Sequence, residues 1–170
     1  MANKYLEVGT SGLPTEREAT VVSAGSGDAG KIVALASNGR LDQSVLPTGI
    51  GQPTYTGNAA ENLAAGDLVY VTSSGTVAKA DASASNASKT AVGFVLTAVT
   101  NGNPATVYLE GINDSLSGLT VGSRYFLSGT TAGGITATAP STAGHVVQLV
   151  GVAVSASSLV FRPEIIAIRS

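Results

Sequence analysis

The chain has 170 residues, a formal net charge of -2 at pH 7 and 12% charged residues, against about 25% in an ordinary soluble domain. It contains no cysteine and a single histidine, which excludes disulfides, thiol nucleophiles and metal sites built on cysteine or on two imidazoles. This charge balance provides no basic surface, so we expect neither nucleic acid nor membrane as a partner.

The N-terminal residues lack the long apolar core of a signal peptide, and the apolar runs fall far short of the about 20 residues of a membrane helix. We therefore expect a soluble protein that is made in the cytoplasm and is not exported.

A stretch rich in proline and glycine, 47–53, divides the chain in two. Its sequence, Pro-Thr-Gly-Ile-Gly-Gln-Pro, disfavours both helix and central strand, so we interpret it as a linker or a sharp corner. Residues 1–53 are then an extended N-terminal attachment arm with its linker. Residues 54–170 are a body made almost entirely of short β-segments.

The arm is predicted to contain a hairpin. The β-prone segments 31–36 and 40–41 flank Asn38-Gly39, the dipeptide that favours a tight turn with two positive φ angles. Residues 20–23 are a further strand candidate, followed by a glycine-rich loop.

A single helical turn is predicted over 42–46, capped by Asp42 and ended by Pro47. The arm has few large apolar residues and cannot bury much surface alone, so we expect it to order against its own body, a neighbouring subunit or a partner. The residues predicted to make this attachment are Ile32, Val33, Leu35, Leu41, Val45 and Leu46.

The glycine-rich loop, Gly25 to Lys31, matches the beginning of a phosphate-binding P-loop. A functional P-loop then requires Ser or Thr and a helix, whereas Ile32 follows here and the sequence alternates as in a strand. Asp28 would also place a negative charge in the anion cradle. We therefore interpret the loop as a flexible hinge.

The body is predicted to contain eight or nine strands separated by turn signals, a spacing typical of an all-β barrel or sandwich. The predicted strands are 68–72, 76–80, 91–99, 105–110, 124–128, 134–139, 145–153, 158–162 and 165–168.

The body also repeats itself at an offset of 52 to 58 residues. Segment 66–73 aligns with 122–129, Val92-Gly93-Phe94-Val95 with 150–153, and 107–109 with 159–161. This pattern predicts a duplicated four-stranded module, 63–113 and 119–168, with approximate twofold symmetry. Chance similarity between low-complexity β-strands is the alternative.

Catalytic candidates are few. His145 begins an apolar strand with no acidic residue close in sequence to orient it, and the acidic residues stand singly at turns. We expect an edge or interface position for His145, no enzyme activity, no metal and no cofactor.

Two segments carry a resemblance to known proteins. Residues 24–35, with 37–42 and 45–47, resemble a segment common near the start of small head or tail subunits of tailed bacteriophages. The first module, especially 65–71, 91–95 and 105–111, is similar to the β-rich core of phage head decoration (capsid cement) proteins.

The resemblance implies a trimer on the capsid surface that clamps neighbouring major capsid subunits, with an extended N-terminal arm in the lattice contact and no catalytic residues. The second module fused in the same chain departs from that pattern.

We therefore expect a virion structural protein that decorates and stabilises a bacteriophage capsid as a homotrimer, with the major capsid protein or other virion subunits as partners. The alternative is a tail fibre, baseplate or head-fibre component that contacts a host receptor or glycan. A small hydrolase or carbohydrate-binding domain is disfavoured, because the chain has only five Tyr and three Phe for sugar stacking.

Overall fold

The chain forms two compact units, Met1–Gly51 and Gln52–Ser170. The computed structural model describes residues 3–10, 12–37, 39–46, 50–83 and 88–170. Its strands form one two-stranded and two five-stranded sheets, which confirms the predicted all-β fold.

The first unit begins with a hairpin that the sequence did not predict. Strands β1 (Lys4–Val8) and β2 (Pro14–Glu18) pair antiparallel. Cross-strand ion pairs join Lys4 to Glu16 and the Nε of Arg17 to Glu7 Oε2 (2.8 Å). Opposite charges across a ribbon favour this register, and they take the place of the apolar alternation that usually reveals a strand.

The hairpin predicted around Asn38-Gly39 is reduced to a turn. The Ala36 N–H donates to the Arg40 carbonyl (2.8 Å), but the described residues of 31–46 contain no strand, only a bridge between Thr20 and Val33. Asn38 itself lies outside the described residues. The predicted strand at 20–23 is likewise only that bridge.

The second unit contains both five-stranded sheets. The first has the order β3-β7-β6-β4-β5, with β3 at Thr54–Asn58, β4 at Leu68–Val71, β5 at Val77–Lys79, β6 at Gly93–Phe94 and β7 at Pro104–Tyr108. The second has the order β8-β12-β11-β9-β10, with β8 at Gly111–Asn113, β9 at Arg124–Leu127, β10 at Ile135–Thr136, β11 at Val146–Ala153 and β12 at Leu159–Ile168. All neighbouring strands are antiparallel, and the predicted strands 158–162 and 165–168 are one strand, β12.

The two sheets repeat one topology strand for strand. Gly93 pairs with Val69 in the first sheet, and Gly151 pairs with Tyr125 in the second, which are the residues that the sequence repeat aligns. Hydrogen bonds repeat as well: the Gly66 N–H donates to the Val95 carbonyl, and the Gly122 N–H donates to the Ala153 carbonyl, both at 2.8 Å. The body is therefore a duplicated module.

Each module has one more strand than the sequence predicted. β3 pairs with β7 as β8 pairs with β12, so the first module is 54–110 and the second is 111–168. The predicted boundaries, 63–113 and 119–168, left out β3 and assigned β8 to the first module.

Gly93 and Gly151 explain why the repeat is so evident at this strand. A Cβ on Gly93 would lie 2.6 Å from the Tyr108 carbonyl oxygen, and a Cβ on Gly151 would lie 2.0 Å from that of Val160. Neighbouring backbones approach too closely here for any side chain.

The modules pack head to tail, so the predicted twofold symmetry is wrong. Leu68 and Phe94 of the first module lie in one buried cluster with Tyr125 and Phe161 of the second. In the repeat, Tyr125 is equivalent to Val69. Val69 points to the opposite face of the first sheet from Leu68 and lies in a separate buried cluster, so the two modules contribute different faces to the contact. Two modules related by a twofold axis would bury equivalent faces against each other.

Candidate functional site

The first unit has no buried residue among those whose burial the structure describes; every one is exposed or half-buried. Its hairpin packs against no second layer within the unit, and a two-stranded ribbon alone is marginally stable in water. The described part of this unit therefore has no apolar core of its own.

The six residues predicted to attach the arm all lie between 32 and 46, and most of them face solvent. Their exposed fractions are 55% for Ile32, 45% for Val33, 54% for Leu35 and 49% for Leu41, and Val45 and Leu46 are half-buried. The structure brings them onto one looped segment rather than the two strands of a hairpin.

Hydrogen bonds close this segment into a loop. The Thr20 N–H donates to the Ile32 carbonyl and the Ala34 N–H to the Thr20 carbonyl, both 2.9 Å. Near the other end, the Ser23 N–H donates to Ser44 Oγ (2.8 Å). These contacts hold the backbone while the apolar side chains of 32–35 stay available for a partner.

The helical turn predicted over 42–46 is present as a short 3-10 helix at Gln43–Val45. The Ser44 N–H donates to Asp42 Oδ1 (2.9 Å), so Asp42 caps it as expected. Hydrogen bonds from Ser44 also hold the pKa of the Asp42 carboxyl below its ordinary value.

Sequence reasoning missed a second set of exposed apolar residues in the arm. Leu6, Val8 and Leu13 flank the hairpin turn and are each exposed by 68% to 70%. Leu6 and Val8 alternate with charged residues, and this alternation was the available signal. Val22 and Ile50 are also exposed, by 63% and 57%.

Asp28 occupies the centre of the loop that matches a P-loop. Its Oδ2 accepts from the Ala24 N–H and its Oδ1 from Lys31 Nζ, both at 2.6 Å. The hydrogen bond from Lys31, with that from Ala24, holds the pKa of Asp28 below its ordinary value. The lysine and backbone amide that would bind a phosphate are thus already engaged by a carboxylate, which disfavours the P-loop interpretation.

His145 lies at the rim of a small polar cavity of about 180 Å³ in the second module. It precedes β11, and its ring lies against Gly129, where an added Cβ would meet Nδ1 at 2.4 Å. The other lining residues are Ser, Thr, Gly, Ala and Pro, so no carboxylate lines the cavity to orient the imidazole as a base.

Neither metal nor membrane chemistry is indicated by the described residues. Among them, no group of three or more His, Cys, Asp or Glu side chains is placed to hold a metal ion. The same residues include no helix with the length and apolar character needed to cross a bilayer.

No protein-family model and no curated protein sequence matches the chain at a significant level.

Proposed function

We propose that this chain is a virion structural protein that decorates and stabilises a bacteriophage capsid as a trimer. The arm attaches to the capsid or to neighbouring subunits, and the duplicated β-module projects from the surface. One observation carries the proposal: a body with fully buried core residues is joined to an arm whose described residues include none, and nine large apolar side chains among them are exposed.

Such an arm gains stability by docking. Fully burying a Leu or Ile side chain contributes about 1.5 to 3 kcal/mol, so each half-exposed residue of the 32–41 segment contributes about 1 kcal/mol when a partner covers it. Ordering the loop costs part of this, and the hydrogen bonds that already join Thr20 to the 32–34 backbone reduce that cost.

The resemblance of residues 24–47 and of the first module to phage head proteins supports the same proposal. In a capsid lattice, each weak arm contact is repeated around the particle. A low fraction of charged residues, 12%, also suits surfaces that become covered in an assembly.

The experiment that tests attachment uses purified particles stripped of the protein and the full-length chain. Ile32→Ser with Leu35→Ser removes about 2 kcal/mol of apolar contact, so we expect about 30-fold weaker particle binding. Val92→Ser, a 41% exposed valine of the body, is the matched control and should bind normally.

Deleting residues 1–46 should abolish particle binding. Thermal unfolding of the body in the double variant should match that of the wild type, because neither substituted residue is buried. If both the double variant and the deletion bind particles with wild-type affinity, the arm is not the attachment element.

A tail fibre, baseplate or head-fibre component is the second candidate, favoured by the cavity beside His145. A cavity of about 180 Å³ lined by hydroxyl groups has the size and polarity to accept one sugar unit. Binding of host glycans that is lost in His145→Ala and Thr142→Val, with few copies per particle, would favour this candidate over capsid decoration.

A further inference from the structure

The second module has an apolar outer face. Strand register aligns Ile112, Val160 and Val152 in one row across β8, β12 and β11. Ile112 is 49% exposed and Val152 38%, and Val154, just after β11, is 50% exposed. We call these four residues the outer apolar face.

The first module shows what covers the equivalent face. The repeat makes Phe94 equivalent to Val152 and Tyr108 equivalent to Val160, and both pairs are cross-strand neighbours. Phe94 is fully buried, and Tyr108 packs with it against the second module, with Phe161 5.4 Å from Phe94 between ring centroids. This face of the first module is thus covered by another copy of the same module.

Further aliphatic side chains are exposed along β12, where consecutive residues such as Ile165 and Ile166 lie on opposite faces of the strand. β8 pairs with β12 only over Leu159–Phe161, and the rest of β12, from Arg162, is exposed. Ile165, Ile166 and Ile168 are each 52% to 57% exposed on this stretch. Isolated exposed apolar residues are ordinary, but a contiguous aliphatic patch on a sheet marks an interaction surface.

The charges beside the outer apolar face are complementary to those on another copy of this chain. Arg124 continues the row of Val152, and Glu164 pairs across the sheet with Leu149. Neither is in an ion pair with any other residue that the structure describes. One unpaired charge of each sign on one surface is complementary to the same surface on another copy.

We propose that the outer apolar face is the surface on which a second copy of this chain docks. Within one chain, the second module buries this face of the first; between chains, the equivalent face of the second module is covered by the same face of a second copy. Flat β-branched rows suit sheet-on-sheet packing, with the side chains of both copies interdigitating. A contact between identical faces relates two copies by a twofold axis, so the inference adds a pairing surface to the trimer of the proposed function, on whose self-association it rests.

The test is sedimentation equilibrium of the full-length chain over a concentration series. The wild type should associate, and Val152→Glu should raise the dissociation constant about 100-fold or more, because docking would bury an unpaired carboxylate. Val92→Glu is the matched control: it is 41% exposed, lies in the first module and should associate as the wild type does.

Val154→Glu repeats the test beyond the end of β11, where a charge cannot disrupt strand pairing, and should have the same effect. Circular dichroism verifies the fold of each variant. Association of both folded variants with wild-type strength would overturn the inference, as would an equal loss in the Val92→Glu control.

Binding to capsid particles is measured in a separate experiment. A wild-type chain that is monomeric at every concentration, yet binds particles, would overturn this surface and leave the capsid role standing.

Discussion

Gln148 is the residue whose removal should most weaken the contact between the two modules. It lies in β11 of the second module with 3% of its surface exposed. Its Oε1 accepts from the Ala91 N–H and its Nε2 donates to the Ala91 carbonyl, both at 2.8 Å. Ala91, also 3% exposed, therefore depends on this one side chain for both of its buried backbone groups.

Gln148→Ala should destabilise the protein by about 3 kcal/mol. It leaves one buried N–H and one buried carbonyl without a partner, and each costs about 1 to 3 kcal/mol, less where water enters the vacated space. For a protein of this size, that loss lowers Tm by about 6 to 12 °C.

The assay is urea unfolding followed by circular dichroism, with Asn62→Ala as the control. Asn62 Oδ1 accepts from the Asn101 N–H (2.9 Å) at an exposed position, so its loss should cost less than about 1 kcal/mol. If Gln148→Ala costs no more than Asn62→Ala, the paired amide does not hold the modules together and the reasoning fails.

Two further predictions concern one close backbone contact and one titrating loop. Gly151→Ala should lower the free energy of unfolding by more than about 3 kcal/mol, because its Cβ would lie 2.0 Å from a backbone oxygen. The control Gly9→Ala, with no atom within 4 Å of the added Cβ, should change it by no more than about 0.5 kcal/mol. Equal unfolding midpoints for the two variants would contradict the close packing at Gly151. The pKa of Asp28 is lowered in the folded arm. Its hydrogen bonds therefore contribute fully to the stability of the loop above the ordinary pKa of Asp, and this contribution is lost as the pH falls through the lowered pKa of the folded state. The Ala24 amide signal in an NMR titration should report a midpoint below the ordinary pKa of an Asp carboxyl, and an ordinary midpoint would contradict the observed bonds to Ala24 and Lys31.

The body could be predicted well because its strands carry a repeated signal. Gly93 and Gly151 mark a place where backbones must touch, so they recur at one position of the module and reveal the alignment. The register then follows, since Val69 and Tyr125 take equivalent places opposite them. Here the local sequence and the tertiary packing impose the same constraint.

The hairpin of the arm could not be predicted by the same means. β1 and β2 are joined by charge pairs between Lys4 and Glu16 and between Glu7 and Arg17, and period-two apolar alternation is limited to Leu6 and Val8, too short to predict a strand. In contrast, the dipeptide Asn38-Gly39 predicted two paired strands, but the described residues of this segment pair only through the bridge from Val33 to Thr20.

Two other differences arise from edges and symmetry. The strands predicted separately at 158–162 and 165–168 are continuous, and β12 passes through Pro163 because β8 no longer pairs there and proline is tolerated at an unpaired edge. The face that each module buries depends on how two whole sheets stack. Arg124, which stands where the first module has the buried Leu68, is the charged substitution on this face of the second module.

The central claim, capsid decoration, is tested most directly by counting this chain against the major capsid protein in purified particles, by quantitative mass spectrometry. Decoration predicts a copy number comparable to that of the major capsid subunit. A handful of copies per particle would contradict it and would assign the chain to a tail or fibre instead.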